Sequence, residues 1–128
     1  MIPTIFAIAL LTGPADPDRS VFDAICMVES GGDDYAVGDG GRSRGPAQCG
    51  KLAWQDAIEW GGVDWDYDTF VWSREHCRWI FEWYCQRWGA VTAEEKARCW
   101  NNGPRWRRKY VKTDGYWRRV RNLMEAVQ

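Results

Sequence analysis

Residues 17–32 read Pro-Asp-Arg-Ser-Val-Phe-Asp-Ala-Ile-Cys-Met-Val-Glu-Ser-Gly-Gly, and this stretch decides the fold class. An acidic residue followed by Pro17 is typical of a first helical turn. Apolar side chains then recur at helical spacing, at Val21, Phe22, Ile25 and Val28. Two glycines, Gly31 and Gly32, end the pattern. The stretch therefore predicts an amphipathic helix over residues 17–30, with Glu29 near its C-terminal end.

Similar patterns predict further helices over residues 50–60, 73–88, 92–100 and 114–126, with a helical turn at 105–109. The second helix has its apolar residues at Leu52, Ala53, Ala57 and Trp60. The helix over 73–88 is the longest of those predicted, and its buried stripe comprises Cys77, Ile80, Phe81, Tyr84 and Trp88. The Thr-Ala-Glu-Glu sequence that starts at Thr92 predicts a capped helix start.

Three segments lack helical periodicity. Residues 33–48 are rich in glycine and polar side chains, and they predict a small β-hairpin or an irregular polar lobe. Residues 63–72 predict an acidic aromatic loop, and residues 101–104 (Asn-Asn-Gly-Pro) predict a turn. We therefore expect a mainly α (α+β) domain, with any functional site at the polar lobe.

The composition limits the class of protein. The chain has 128 residues, which suits one domain, and it has ten Trp, five Tyr and four Phe. That is more aromatic surface than a core of this size needs, so some rings should line a groove. No apolar run approaches the roughly 20 residues that span a bilayer, which excludes an integral membrane protein.

The charges are distributed unevenly. Residues 1–95 contain seven Lys or Arg and sixteen Asp or Glu, a net charge of −9, whereas residues 96–128 contain ten and two, a net charge of +8. A basic C-terminal third is typical either of a solvated helical face or of an anion-attracting surface. A nucleic-acid binder would use Arg105, Arg107, Arg108, Lys109, Lys112, Arg118, Arg119 and Arg121. No recognition-helix pattern precedes these cations, so we expect no nucleic-acid partner.

The N-terminus and the cysteines bear on the compartment. Residues 2–11 are almost wholly apolar and small residues follow, so residues 1–15 predict a signal peptide or, alternatively, an apolar N-terminal segment that packs on the domain. Export would place the protein outside the cell or in the envelope or periplasm. Five cysteines are present, and export would favour one or two disulfides with one thiol left over.

A metal site has little support from the sequence. His76, Cys77, Cys85 and Cys99 are the residues that could bind zinc, but their spacing matches no common zinc motif. We therefore expect neither a metal ion nor an organic cofactor.

Four short motifs follow one another along the chain. Residues 24–32 read Ala-Ile-Cys-Met-Val-Glu-Ser-Gly-Gly, residues 45–48 Gly-Pro-Ala-Gln, residues 100–104 Trp-Asn-Asn-Gly-Pro, and residues 113–120 Thr-Asp-Gly-Tyr-Trp-Arg-Arg-Val. Together, over about residues 20–120, they resemble motifs of the lysozyme-like superfamily, and in particular the soluble lytic transglycosylases and the goose-type and invertebrate-type lysozymes. Those families have a Glu-Ser at a helix end, a Gly-x-x-Gln after a short lobe, an aromatic-Asn-x-Gly turn and a closing Thr-x-x-Tyr-x-x-x-Val helix.

The resemblance implies a lysozyme-like catalytic domain over residues 16–128 and a role for each matched residue. Glu29 would protonate the glycosidic oxygen, and Asp39 would be the second acid, with Asp33 and Asp34 as alternatives. The residues that would bind substrate are Ser30, Tyr35, Gln48, Trp100, Asn101 and Tyr116. Flat aromatic rings suit the faces of sugars, while a core position is the other interpretation of each ring.

The function expected from the resemblance is cleavage of peptidoglycan, or of a related N-acetylated glycan, by a monomer. The bond would be the β-1,4 linkage between N-acetylmuramic acid and N-acetylglucosamine. A hydrolase with two carboxyls and a transglycosylase with one both remain open, because the spacing does not fix the second acid. The alternative is a non-catalytic glycan-binding module on the same fold.

Overall fold

A computed structural model of the chain describes residues 17–126. The described chain has six α-helices and one small antiparallel sheet: α1 (Pro17–Ser30), β1 (Val37–Gly38), β2 (Ser43–Arg44), α2 (Lys51–Gly61), α3 (Tyr67–Phe70), α4 (Arg74–Arg87), α5 (Ala93–Asn102) and α6 (Asp114–Ala126). The mainly α (α+β) fold class is therefore confirmed. The predicted signal peptide, residues 1–15, lies outside the described residues.

The helix boundaries agree with the sequence pattern except in two loops. The predicted helix over 17–30 is confirmed as α1, and the capping box at Thr92 and Glu95 starts α5. The predicted loop over 63–72 contains the short helix α3, whose first turn is capped by the Asp66 carboxylate. The predicted turn at 101–104 is wrong at its start, because α5 continues to Asn102 and places Asn101 on the helix.

The hydrophobic core lies between the helices. Helix α1 packs on α4, α5 and α6, and α2 packs on α4. Val21, Phe22 and Ile25 are almost fully buried, and the Phe22 ring lies 5.6 Å from that of Phe81 on α4. Burial of each such side chain stabilises the fold by roughly 1.5–3 kcal/mol. The buried face of α1 therefore fixes where its C-terminal end meets the rest of the molecule.

The polar lobe, residues 33–50, is joined to the helical body at three points. In the sheet, Val37 pairs with Arg44, and a 3₁₀ turn separates the two strands. The hydroxyl of Ser30 lies 2.7 Å from the carbonyl oxygen of Pro46, and the indole Nε1 of Trp100 donates to Ala47 at 3.0 Å. The third contact is so close that a Cβ at Gly45 would lie 2.0 Å from the carbonyl oxygen of Val71. These contacts hold the lobe against α1 and α5.

All five cysteines belong to the described residues, and all are buried and free. The one or two disulfides expected from export therefore do not occur among them. Burial raises the pKa of the Cys26 and Cys77 thiols to about 12, so both stay protonated at neutral pH. The cysteines contribute to the core as small apolar side chains.

Candidate active site

Glu29 lies at the C-terminal end of α1, where the helix meets the polar lobe. Its side chain is half-buried, and its Oε2 atom accepts a 2.8 Å hydrogen bond from the hydroxyl of Tyr116 on α6. Burial raises the pKa of the Glu29 carboxyl above its ordinary value. The Tyr116 hydrogen bond and the charge of Arg119 lower this pKa, whereas the charge of Asp39 raises it further, and burial is the largest of these effects.

Tyr116 is a partner of Glu29 rather than part of the cleft wall. It is buried, and its hydroxyl is used by the Glu29 hydrogen bond. Burial raises the pKa of Tyr116 well above its ordinary value, so the phenol remains a hydrogen-bond donor. The prediction that Tyr116 contacts sugar is therefore replaced by a role in holding the carboxyl of Glu29.

Glu29 opens onto a cleft with a volume of about 200 Å³. The cleft lies between the end of α1, the polar lobe and the facing sides of α2, α4 and α5. Its lining residues are Glu29, Asp39, Ser43, Gln48, Cys49, Gly50, Ala53, Tyr84, Trp100 and Asn101. Of the eight site residues predicted from the sequence, five lie in this lining, although they are separated by up to 72 positions along the chain.

Asp39 enters the cleft from the 3₁₀ turn of the polar lobe. It is exposed, and its Oδ2 atom accepts a 2.6 Å hydrogen bond from the hydroxyl of Ser43. The alternative second acids lie elsewhere. Asp33 caps the backbone N–H of Tyr35, and Asp34 forms a 2.9 Å salt bridge with Arg74. Asp39 is therefore the carboxylate that shares the cleft with Glu29.

Two strained backbone positions coincide with the cleft. Among residues 17–126, the non-glycine residues with positive φ are Asp39, at 50°, and Gln48, at 53°. Such conformations cost roughly 1–3 kcal/mol each and concentrate at functional sites. Both side chains line the cleft, so the strain occurs where side-chain direction determines the shape of the site.

Gln48 has less freedom to contact a ligand than the sequence suggests. Its amide Nε2 donates to the carbonyl oxygens of Ala36, at 3.1 Å, and Gly45, at 3.0 Å. These two bonds use both N–H groups to hold the lobe together. Its Oε1 atom packs so closely on Gly38 that a Cβ there would lie 2.5 Å from it. Gln48 therefore shapes one wall of the cleft and holds the lobe that carries Asp39.

The opposite wall is aromatic. Trp100 is half-buried, and its ring meets the Tyr84 ring edge-on, at 88° and a centroid distance of 5.6 Å. Asn101, the next residue on α5, is exposed at the rim of the cleft, and within residues 17–126 no hydrogen bond occupies its side-chain amide. Trp100 and Asn101 therefore present an apolar surface and a free amide side by side.

Tyr84 is one of five lining residues that were not predicted from the sequence as site residues, because its position indicated the buried stripe of α4. Only 6% of the residue is exposed, and that residue lines the cleft. Burial raises its pKa, so the hydroxyl stays protonated and able to donate. A buried tyrosine normally has a partner for its hydroxyl, so a tyrosine within a predicted apolar stripe indicates that a polar group or a cleft lies nearby.

Two other predicted site residues lie outside the cleft. The hydroxyl of Ser30 is used between the carbonyl oxygens of Cys26, at 2.9 Å, and Pro46, at 2.7 Å. Tyr35 is 73% exposed and stacks on Trp72 at a centroid distance of 6.1 Å. Ser30 therefore joins α1 to the lobe, and the Tyr35 ring lies on a different surface from the cleft.

A metal site or a membrane-spanning helix would point to another kind of function. Within residues 17–126, no group of three or more His, Cys, Asp and Glu side chains is arranged to bind a metal ion. No helix in that range is long and apolar enough to cross a membrane. Comparisons with protein-family models, curated proteins and solved structures gave no match. The functional conclusion therefore depends on the chemistry of the cleft.

Proposed function

We propose that the chain is a peptidoglycan-cleaving glycosidase that cuts the β-1,4 bond between N-acetylmuramic acid and N-acetylglucosamine. The observation that carries the proposal is the half-buried Glu29 carboxyl, with its raised pKa, in one cleft with the exposed Asp39. Glycosidases need one carboxyl that is protonated and a second that is ionised. Such a substrate would place the protein outside the cell or in its envelope.

Glu29 acts as the general acid. Its Oε2 accepts the Tyr116 hydroxyl, so the carboxyl proton is left to Oε1. From Oε1 the proton passes to the glycosidic oxygen as the bond to the sugar breaks. A positioned acid of this kind contributes about 10²- to 10⁴-fold to the rate. Tyr116 is a positioning residue, because it acts by fixing the orientation of the carboxyl.

Asp39 supplies the second, negatively charged carboxyl that the reaction needs. Its carboxylate stabilises the positive charge that develops on the sugar, or it activates the water that completes hydrolysis. Ser43 holds the carboxylate by hydrogen bonding to Oδ2, which leaves Oδ1 for the substrate. The presence of this second carboxylate supports a hydrolase rather than a transglycosylase.

The aromatic wall supports an N-acetylated sugar as the ligand. The amide of Asn101 and the hydroxyl of Tyr84 can each donate to an acetamido oxygen, and the Trp100 ring offers a flat surface for apolar C–H groups. The site therefore suits the glycan strand itself.

The test is the rate at which Glu29→Gln clears suspensions of purified peptidoglycan. We expect a loss of about 10³-fold, because glutamine keeps the shape and the Tyr116 hydrogen bond but has no acidic proton. Glu125→Gln is the control, since Glu125 is exposed at the end of α6. Retained clearance by Glu29→Gln would contradict the proposal.

Binding and stability measurements separate loss of catalysis from loss of folding. Glu29→Gln should still bind a soluble oligosaccharide of N-acetylglucosamine. It should also be more stable than the wild type at neutral pH. A carboxyl whose folded pKa is raised makes the fold lose stability as pH rises above its ordinary pKa, and glutamine does not titrate. A non-catalytic binding module would bind the sugar equally well with or without the substitution, and its wild type would show no activity.

A further inference from the structure

A cationic surface lies on the segment that follows α5, the helix whose residues Trp100 and Asn101 line the cleft. Seven exposed cations between residues 105 and 119 have no carboxylate within salt-bridge distance among residues 17–126. One of them, Arg107, donates to the carbonyl oxygens of Trp88 and Gly89. We call the other six the cationic ridge: Arg105, Arg108, Lys109, Lys112, Arg118 and Arg119. The acids of this part of the chain are used elsewhere. Asp114 pairs with the buried Arg98 at 2.7 Å, and Glu125 lies 4.0 Å from Arg121. The positive charge of the ridge is therefore not neutralised locally.

The backbone that carries Arg105 to Lys112 is anchored to the helical body. Between α5 and α6 the backbone winds through successive tight turns, so the cationic side chains project outward. Trp106 anchors the segment: it is 1% exposed, and its Nε1 donates to the carbonyl oxygen of Trp88 at 3.1 Å. Arg98 donates from inside to the carbonyl oxygen of Tyr110. An anchored backbone loses less conformational entropy on binding than a flexible one.

The side chains of the ridge favour phosphate. Four of the six are arginines, whose planar guanidinium groups bind phosphate oxygens in a bidentate manner. Several unneutralised cations in a row are suited to a chain of phosphates rather than to one small anion. Their binding would release counterions and would weaken with salt.

Two other phosphate-rich partners fit less well. Single-stranded nucleic acids need exposed rings for stacking, but Trp106 is buried. Tyr110 is 38% exposed, and one face of its ring is taken by the Arg98 guanidinium, 3.8 Å from the ring centroid. A bilayer would need apolar side chains to insert, and within residues 105–112 Val111 is the one strongly exposed aliphatic residue, at 79%. A linear polymer without bases requires neither feature.

We propose that the cationic ridge binds a phosphodiester polymer of the cell wall, a chain of polyol phosphates, next to the cleft. The ridge adjoins the cleft through α5: Asn101 lines the cleft, and the ridge begins four residues later at Arg105. Binding there would hold the wall while the glycan strand enters the cleft. The choice of a wall polymer rests on the proposed function, whereas the affinity for polyphosphodiesters does not.

The experiment measures the affinity of the full chain for poly(glycerol phosphate) at several salt concentrations, by isothermal titration calorimetry. Lys109→Gln with Lys112→Gln lowers the net charge by two at the ridge, and Lys51→Glu lowers it by two at the start of α2. All three side chains are exposed. We expect the double variant to lose about tenfold in affinity and to show a salt dependence shallower by about 1 to 2 in slope. The Lys51→Glu control should stay within twofold of the wild type.

Three results would overturn the proposal. The first is the absence of salt-sensitive binding by the wild type. The second is an equal loss in Lys51→Glu, which would show a response to net charge alone. The third is at least tenfold tighter binding to a DNA oligonucleotide or to phosphatidylglycerol vesicles, which would make nucleic acid or membrane the partner. Glu29→Gln should bind the polymer as the wild type does, so failure of the ridge and failure of the catalytic proposal are distinguishable.

Discussion

The two carboxyls of the cleft are held in opposite ways. Glu29 stands at the end of a regular helix, half-buried, and its properties come from what α1 and α6 pack around it. Asp39 stands in a glycine-rich turn, exposed, and its direction comes from a strained backbone and one hydroxyl. Burial raises the pKa of Glu29, and backbone geometry sets the direction of the Asp39 side chain. The two carboxyls of one cleft therefore have different surroundings, as the proposed proton donor and its second carboxylate would require.

The close packing of the polar lobe, which carries Asp39, against Val71 should depend on Gly45. At Gly45 φ is +80°, and a Cβ would lie 2.0 Å from the carbonyl oxygen of Val71. We expect Gly45→Ala to lower the free energy of unfolding by about 3 kcal/mol, over 100-fold in the folding equilibrium. Chemical denaturation measures this.

Gly40→Ala is the matched control for that prediction. Gly40 also has a positive φ, of 66°, but its added Cβ would meet no atom within 4 Å. Its cost should be about 1 kcal/mol, which is the backbone effect alone. Equal costs at the two positions would show that the contact with Val71 does not hold the lobe.

Removing the charge of Asp39 should separate the roles of the two carboxyls. We expect Asp39→Asn to lower the rate of peptidoglycan hydrolysis by on the order of 10²-fold. The same substitution should lower the pKa of Glu29, because the charge of Asp39 raises it. The upper limb of the pH–rate profile should therefore move to lower pH. Asp33→Asn, in the same lobe, should change neither.

The mass of the digestion products completes that experiment. A reducing sugar end in the wild-type products indicates hydrolysis, and a product lighter by one water indicates transglycosylation. If Asp39→Asn keeps the wild-type rate and the products are of the lighter kind, Glu29 acts alone and the comparison between the two carboxyls fails.

The aromatic wall should contribute to binding more than to bond cleavage. Tyr84→Phe removes one hydroxyl from the cleft and leaves the ring against Trp100. We expect KM to rise about fivefold with kcat nearly unchanged, which corresponds to about 1 kcal/mol for one hydrogen bond. Tyr110→Phe, whose hydroxyl donates to Glu94 away from the cleft, should leave KM unchanged. A KM for Tyr84→Phe that equals that of the wild type would exclude contact between this hydroxyl and the sugar.

Regular helical features could be predicted from the sequence because they depend on local patterns. The apolar spacing and the two glycines predicted α1 with the observed limits, and with it the position of Glu29. The capping pattern at Thr92 likewise predicted the start of α5. In α2 the pattern was misleading in part, since Ala57 is buried as predicted but Leu52 is 80% exposed and Trp54, outside the predicted set, is buried. The bulky indole of Trp54 decides which face of that helix turns inward.

The details of the site depend on contacts between distant residues, which a single sequence does not reveal. The direction of Asp39 depends on a positive φ and on Ser43, and neither follows from its place in a glycine-rich segment. Tyr84 belongs to the apolar stripe of its helix, yet it lines the cleft. Ser30 and Tyr35 lie near Glu29 in sequence, but their contacts turn them to other surfaces.

The most direct test of the account is the pKa of Glu29 itself. A ¹³C NMR titration of glutamate side-chain carboxyls, with Glu29→Gln to assign the signal, measures it in the intact protein. We expect Glu29 to titrate above its ordinary pKa of 4.5. In Tyr116→Phe its pKa should be higher still, because the hydrogen bond that lowers the pKa in the wild type is absent. A Glu29 carboxyl that titrates at or below 4.5 would contradict the claim that this side chain is the proton donor.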